Sequence, residues 1–176
     1  LAARFTLVDS GGKLAPLREA KRLLTAVRPG VLYTADGTAS AWIPAGDYEV
    51  WASKGMEWSV ARTKISIRAG KTSSKTLRLL HEVDTQNFIS ADTHIHTLTH
   101  SGHGDSSVEE RMVTLAAEGV EMPIATDHNH NIAYRPTQKK MGLQAWFTPV
   151  VGNEVSTPIG HYNAFPLDPE DAVPPH

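Results

Sequence analysis

Apolar and polar residues alternate with a period close to two along most of the first 85 positions. Ala3-Arg4-Phe5-Thr6-Leu7-Val8-Asp9 follows this pattern loosely and stops at Ser10-Gly11-Gly12, a turn signal. Val31-Leu32-Tyr33-Thr34 runs into Asp36-Gly37, which favours a hairpin turn, so Thr38 to Ile43 reads as the return strand. Tyr48 to Ala52, Trp58 to Ile67 and Thr76 to Leu80 read as further strands. Pro44-Ala45-Gly46-Asp47, Lys54-Gly55 and Ala69-Gly70-Lys71 separate them. The stretch Glu19 to Val27 reads as a short helix. Regularly spaced short strands predict a small β-sandwich over residues 1–85. Trp42, Trp51 and Trp58 are expected in its core, because tryptophan is highly buried on average. The other reading of the three rings is an aromatic face of the kind that takes sugars.

From about residue 86 the pattern changes. Phe88-Ile89-Ser90-Ala91-Asp92 is a short apolar run leading into a polar cluster. Ser106 with Glu109 three residues later predicts a capping box, and Val108, Met112, Leu115 and Ala116 recur at helical spacing up to Gly119, a fitting cap. Val120 to Thr126 reads as a strand, Pro136 to Lys140 as a weaker helix, and Phe147 to Val151 and His161 to Phe165 as strands. Strands alternating with helices predict βα units and a parallel sheet. The fold class expected is therefore a two-domain α+β protein, divided as residues 1–85 and 86–176.

Composition narrows the function. Seventeen basic and nineteen acidic residues give a net charge of −2, and no basic stripe suited to nucleic acid is visible. No apolar run is long enough to cross a bilayer. With no cysteine, disulfides and thiolate metal sites are excluded. The chain begins at Leu1 without a signal-peptide pattern, and is expected to be a mature or excised piece of something longer. A small-molecule substrate is the partner this composition leaves open.

Histidine changes the picture most. Of nine histidines, six lie between His94 and His130. In parallel α/β folds, reacting groups gather at the carboxyl ends of strands. Four polar clusters fall there: Asp92-Thr93-His94-Ile95-His96, Asp127-His128-Asn129-His130, Glu154, and His161. His94 and His96 are two apart, so on a strand they share a face, roughly 7 Å along it. Each cluster alone is a weak signal, but the ordered set is strong. Imidazole with carboxylate suits zinc, manganese or iron, and more than four candidate ligands point to two or three ions. Such a set predicts hydrolysis by metal-activated water.

The same residues carry a family resemblance. Asp92-Thr93-His94-Ile95-His96, Thr126-Asp127-His128-Asn129, Gly152-Asn153-Glu154-Val155 and Gly160-His161 resemble the successive motifs of the polymerase and histidinol phosphatase (PHP) superfamily of metal-dependent hydrolases. Thr99-His100-Ser101-Gly102-His103-Gly104-Asp105 and Gly160-His161-Tyr162-Asn163 resemble its carbaryl-hydrolase-like CehA/McbA branch. Residues 1–85 are similar to a carboxypeptidase-regulatory or transthyretin-like β-sandwich, notably at Ile43-Pro44-Ala45-Gly46-Asp47-Tyr48-Glu49-Val50. The resemblance implies a β-sandwich followed by part of a (β/α)7 barrel. His94 and His96 would hold one metal, and His128, Glu154 and His161 would hold or bridge others. Asp105, or its rival His103, would be a further ligand, and His128 and Glu154 the catalytic residues. Asp127 would orient a ligand, and His100 and His130 would contact substrate or simply lie at the surface.

The reaction implied is cleavage of a phosphoester or of a carbamate, ester or amide bond. The family supplies further ligands, typically an Asp-x-His pair, late in its barrel, and none follows His161. Completion by residues beyond His176 or by another chain is expected, with the open barrel prone to self-association and these residues alone short of a full site. A periplasmic or secreted location is favoured by the fused sandwich. The alternative function is a non-catalytic module that binds carbohydrate or a protein partner, with an incomplete metal site.

Overall fold

The computed structural model describes residues 1–20 and 23–175. The protein is mixed α/β, with strands predominating over helices. It divides into two compact units. Leu1–Gln86 with Ala116–Gly119 form the first, and Asn87–Leu115 with the residues from Val120 onward form the second.

In the first unit, β1 (Ala3–Asp9), β3 (Thr25–Arg28), β4 (Val31–Thr34), β6 (Gly46–Ser53) and β7 (Ala61–Ile67) make one antiparallel sheet in the order β3-β4-β1-β6-β7. The short β2 (Arg18–Glu19) and β5 (Ala41–Trp42) pair separately. Alternation sets the buried face: Tyr48, Val50 and Ala52 of β6 point inward, while Trp51 lies between them on the other face. Ala3, Ala26 and Leu32 join that core.

The hairpin forms elsewhere than the pattern predicts. Arg28 pairs with Val31 across Pro29-Gly30. Proline fixes φ near −65° and Gly30 sits at φ 70°, the combination of a type II turn. A Cβ at Gly30 would also come within 2.6 Å of the Leu14 side chain. Both edges of β4 are then occupied, by β3 and β1, so Thr38 to Ile43 has no edge to return along. Asp36-Gly37 forms a different turn: Asp36 Oδ1 accepts from Thr34 Oγ1 at 2.9 Å and from Thr38 N at 2.8 Å.

Three more expectations fail in this unit. Thr76 to Leu80 is not a strand; it is tied on through Leu80 N, which donates to Ser59 Oγ at 2.8 Å. Within Glu19 to Val27, Lys21 and Arg22 lie outside the described residues, and Thr25–Arg28 is strand because Thr25 and Ala26 are buried against β4. None of the three tryptophans is buried. Trp42 is 69% exposed, and Trp51 and Trp58 are half-buried against Arg62 and His81.

In the second unit, β8 (Ala91–Ile95), β9 (Met122–Ala125) and β10 (Val150–Val151) form a parallel sheet in the order β10-β9-β8. Helices α1 (Leu98–Ser101) and α2 (Val108–Glu118) connect β8 to β9, and α3 (Arg135–Lys140) connects β9 to β10. The capping box of α2 lies one residue later than its sequence signal. Ser107 Oγ accepts from Glu110 N at 3.2 Å, and Glu110 Oε2 accepts from Ser107 N at 3.0 Å. Val108, Met112, Val113 and Leu115 are buried, each contributing about 1.5–3 kcal/mol from its apolar area. The chain then departs from the parallel pattern: β11 (Asn153–Thr157) and β12 (Gly160–Ala164) form an antiparallel hairpin.

Candidate metal centre

The carboxyl ends of β8 and β9 and the β11–β12 hairpin bring the histidine clusters together. Between Asp92 and Ile95, β8 advances three residues while its partner β9 advances from Pro123 to Ala125. That extra residue is a bulge, and bulges re-aim side chains. His94 lies in the bulge and His96 just past the strand end, with their Nε2 atoms 2.9 Å apart.

β9 runs into Thr126, Asp127 and His128, where a parallel bridge joins His128 to Glu154. The backbone of Glu154 is pinned on both sides: its N–H donates to Asp127 O at 3.3 Å, and its carbonyl accepts from Asn129 N at 3.1 Å. Asn129 adopts φ 56°, a left-handed conformation that asparagine tolerates. Its side-chain oxygen accepts from Ser156 N at 2.9 Å. Gly152 lets the strands approach this closely, since a Cβ there would lie 2.7 Å from Ala125 O. Glu154 and Ser156 are two apart on β11 and share a face, and His161 of β12 stands opposite Ser156. His161 therefore reaches Glu154 diagonally.

Glu154 is the centre of the cluster. His94 Nε2, His96 Nε2 and His128 Nδ1 lie 3.3, 2.9 and 3.2 Å from its Oε2, and His161 Nδ1 lies 3.0 Å from Oε1. The carboxylate is 5% exposed, whereas His94 and His161 are each 54% exposed, so the cluster is open on one side. Three nitrogens crowd Oε2, yet the atom is buried and accepts no hydrogen bond. Burial pushes the Glu154 carboxyl up, but the contact with His94 and the charges of His128, His94 and His96 outweigh it and hold it below the usual value. Burial lowers the His96 imidazole; Glu154 opposes that, and His128 and His94 reinforce it.

Three overlapping groups have ligand atoms within 4.8 Å of one another: His94, His96 and Glu154; His128, Glu154 and His161; and His96, His103 and His128. Five of the six ligands expected from sequence converge here. Asp105, the sixth, belongs to no such group among the described residues; its Oδ1 accepts from Ser106 Oγ at 3.3 Å. Its rival His103 is in the cluster, with its ring 5.2 Å from that of His96 and 5.0 Å from that of His128. His100 and His130 are in none of the groups among the described residues. His100 is half-buried in α1 and His130 is exposed.

Asp127 is in none of these groups among the described residues, and its side chain is fully buried. Its Oδ1 accepts from Thr97 N at 2.7 Å, Thr97 Oγ1 at 3.1 Å and Ser101 Oγ at 2.7 Å. Its Oδ2 accepts from the Tyr134 hydroxyl at 3.0 Å. Burial first, then the charge and hydrogen bond of Asp127, raise the Tyr134 hydroxyl far above its usual value, so it stays a donor. Tyr134, Ser101 and Ser156 were not candidates on sequence grounds. Ser101 lies within the Thr99–Asp105 motif, but no local pattern marks Tyr134. Comparison of the chain with protein-family models, curated proteins and solved structures returns no match.

Proposed function

We propose that the second unit carries a divalent-metal centre and works as a hydrolase of the PHP type on a small-molecule substrate. The observation that carries this reading is the buried Oε2 of Glu154, crowded by three imidazole nitrogens and accepting no hydrogen bond. A buried carboxylate oxygen without a donor costs about 1–3 kcal/mol or more. A cation among those lone pairs removes the cost, and the donor set of imidazole and carboxylate without thiolate fits zinc, manganese or iron.

His94, His96 and Glu154 would hold one ion, and His128, Glu154 and His161 a second, with His103 placed to join through His96 and His128. When bound, such ions supply Lewis acidity, which acidifies water and offsets negative charge on the group under attack. The chain's own residues do the rest. Glu154 spans both groups and fixes their spacing. Ser156 Oγ, 2.7 Å from His128 Nδ1, holds that ring in place. His128 and Glu154, 3.2 Å apart, would act through the ion they share, by holding it beside the bound substrate. The exposed edges of His94 and His161 leave the substrate a way in.

The fold suits this reading, with three parallel strands and two intervening helical connections as the start of a β/α barrel and the five-stranded sheet as part of a β-sandwich. The bond cleaved is a phosphoester or a carbamate, ester or amide. Side-by-side assays of the metal-loaded chain on a phosphomonoester and a naphthyl carbamate test it. Turnover of one substrate that His94→Ala and Glu154→Ala abolish supports the proposal; turnover unchanged in both variants removes it. One observation favours a second reading, a binding module in the first unit: Trp42 lies exposed in a groove with Pro16, Leu17, Pro29, Ile43 and Pro44.

A further inference from the structure

The hydroxyl of Ser101 sits at a junction whose proton count can be completed. A serine hydroxyl has one proton and two lone pairs, and a carboxylate brings no proton of its own. Ser101 Oγ lies 2.7 Å from Asp127 Oδ1, so its proton goes there. The same oxygen lies 3.4 Å from the donor His128 N, which takes one lone pair. His96 Nδ1, 3.0 Å away, faces the second lone pair and must bring its own proton. In the neutral ring the other nitrogen, Nε2, is then bare; it is the atom 2.9 Å from Glu154 Oε2, and it can accept from His94 Nε2, also 2.9 Å away, which then carries a proton.

We propose that Ser101, held by Asp127, is a positioning residue that selects the Nδ1–H tautomer of His96 and so turns an unprotonated Nε2 into the cluster. Neutral histidine in water prefers the opposite tautomer, with the proton on Nε2, which would point a hydrogen at the place a metal ion needs. The partner of one ring nitrogen decides the state of the other. The selection uses no change in total protonation. Asp127 is itself fixed by Thr97 and Tyr134, so the device is anchored to the carboxyl ends of β8 and β9 and to the segment before α3. It also joins the two halves of the cluster, because the backbone of His128 rests on the same hydroxyl that His96 uses.

The inference takes its purpose from the metal-centre reading, but its test does not depend on metal. Histidine side chains labelled with nitrogen-15 report their tautomer directly by NMR. In the metal-free full chain, His96 is expected to show a protonated Nδ1 and a bare Nε2. Ser101→Thr keeps the hydroxyl and is expected to keep that pattern, whereas Ser101→Ala shifts His96 toward Nε2–H. Zinc affinity should fall in Ser101→Ala by about tenfold or more and stay near wild type in Ser101→Thr. A wild-type His96 carrying its proton on Nε2 overturns the proposal without any variant. So does an unchanged tautomer in folded Ser101→Ala. If wild type shows the Nδ1–H form but binds no zinc, the metal-centre reading fails while the positioning device stands.

Discussion

Two buried carboxylates in the second unit lie on adjoining strand ends and are built in opposite ways. Asp127 is saturated: a backbone N–H and three hydroxyls surround its two oxygens. Glu154 is surrounded by imidazole nitrogens, and one of its oxygens accepts no hydrogen bond at all. The first pocket is finished by the protein, since both oxygens meet donors. The second keeps one oxygen without a donor and is open to solvent at His94 and His161. Burial alone therefore does not mark a functional carboxylate; the marker is burial without donors.

The contrast can be broken most strongly at Asp127. Asp127→Ala removes the acceptor of four donors and is expected to destabilise the protein by about 4 kcal/mol, since each orphaned buried donor costs roughly 1–3 kcal/mol and some will relax. Denaturant unfolding checks this, and a loss below about 1 kcal/mol would mean that the network is not structural. At Glu154 the expectation reverses. Glu154→Gln in metal-free protein should raise stability by about 1 kcal/mol or more, because it removes the charge from an oxygen that lacks a donor. Saturating metal should stabilise wild type by about 2.7 kcal/mol at one hundred times the dissociation constant, and the variant should lose this increment. Thermal scans with and without zinc read both values.

His103→Ala should weaken metal binding about tenfold, roughly 1.4 kcal/mol, while Asp105→Asn should leave it within about twofold. Equal losses in the two variants would place the ligand boundary elsewhere. The smallest effect is expected for Tyr134→Phe, about 1 kcal/mol for one buried hydrogen bond. Unfolding midpoints check it, and zinc affinity should be nearly unchanged, since Asp127 keeps its three donors from Thr97 and Ser101.

Local signals carried part of this structure. β1 has the bounds its alternation predicts, and α2 ends at Gly119, which adopts φ 71°. The histidine cluster was legible because its five candidate ligands come from short motifs, three of them at or just past the ends of β8 and β9 and two on the β11–β12 hairpin. What depended on competition between strands was not legible. Asp36-Gly37 is a good turn, but Pro29-Gly30 makes the hairpin and leaves β4 no free edge. The tryptophans carry apolar surface, yet alternation puts Trp51 on the opposite face from Val50 and Ala52, and which of the two faces is buried depends on what the sheet packs against. That His103 and not Asp105 lies in the cluster depends on the loop conformation, because both residues precede α2 within a few positions. Tyr134 and Ser101 meet at Asp127 from opposite sides in sequence, seven residues after it and twenty-six before it. No local pattern encodes such a meeting.

The measurement that bears most directly on the central claim is a calorimetric titration of the metal-free full chain with zinc, manganese and ferrous ions, alongside Glu154→Gln. The account predicts saturable binding of at least one of these ions by wild type, weakened about 100-fold or more by a change that replaces one carboxylate oxygen with an amide. Wild-type protein that takes up none of the three, or a variant that binds as tightly as wild type, would contradict it.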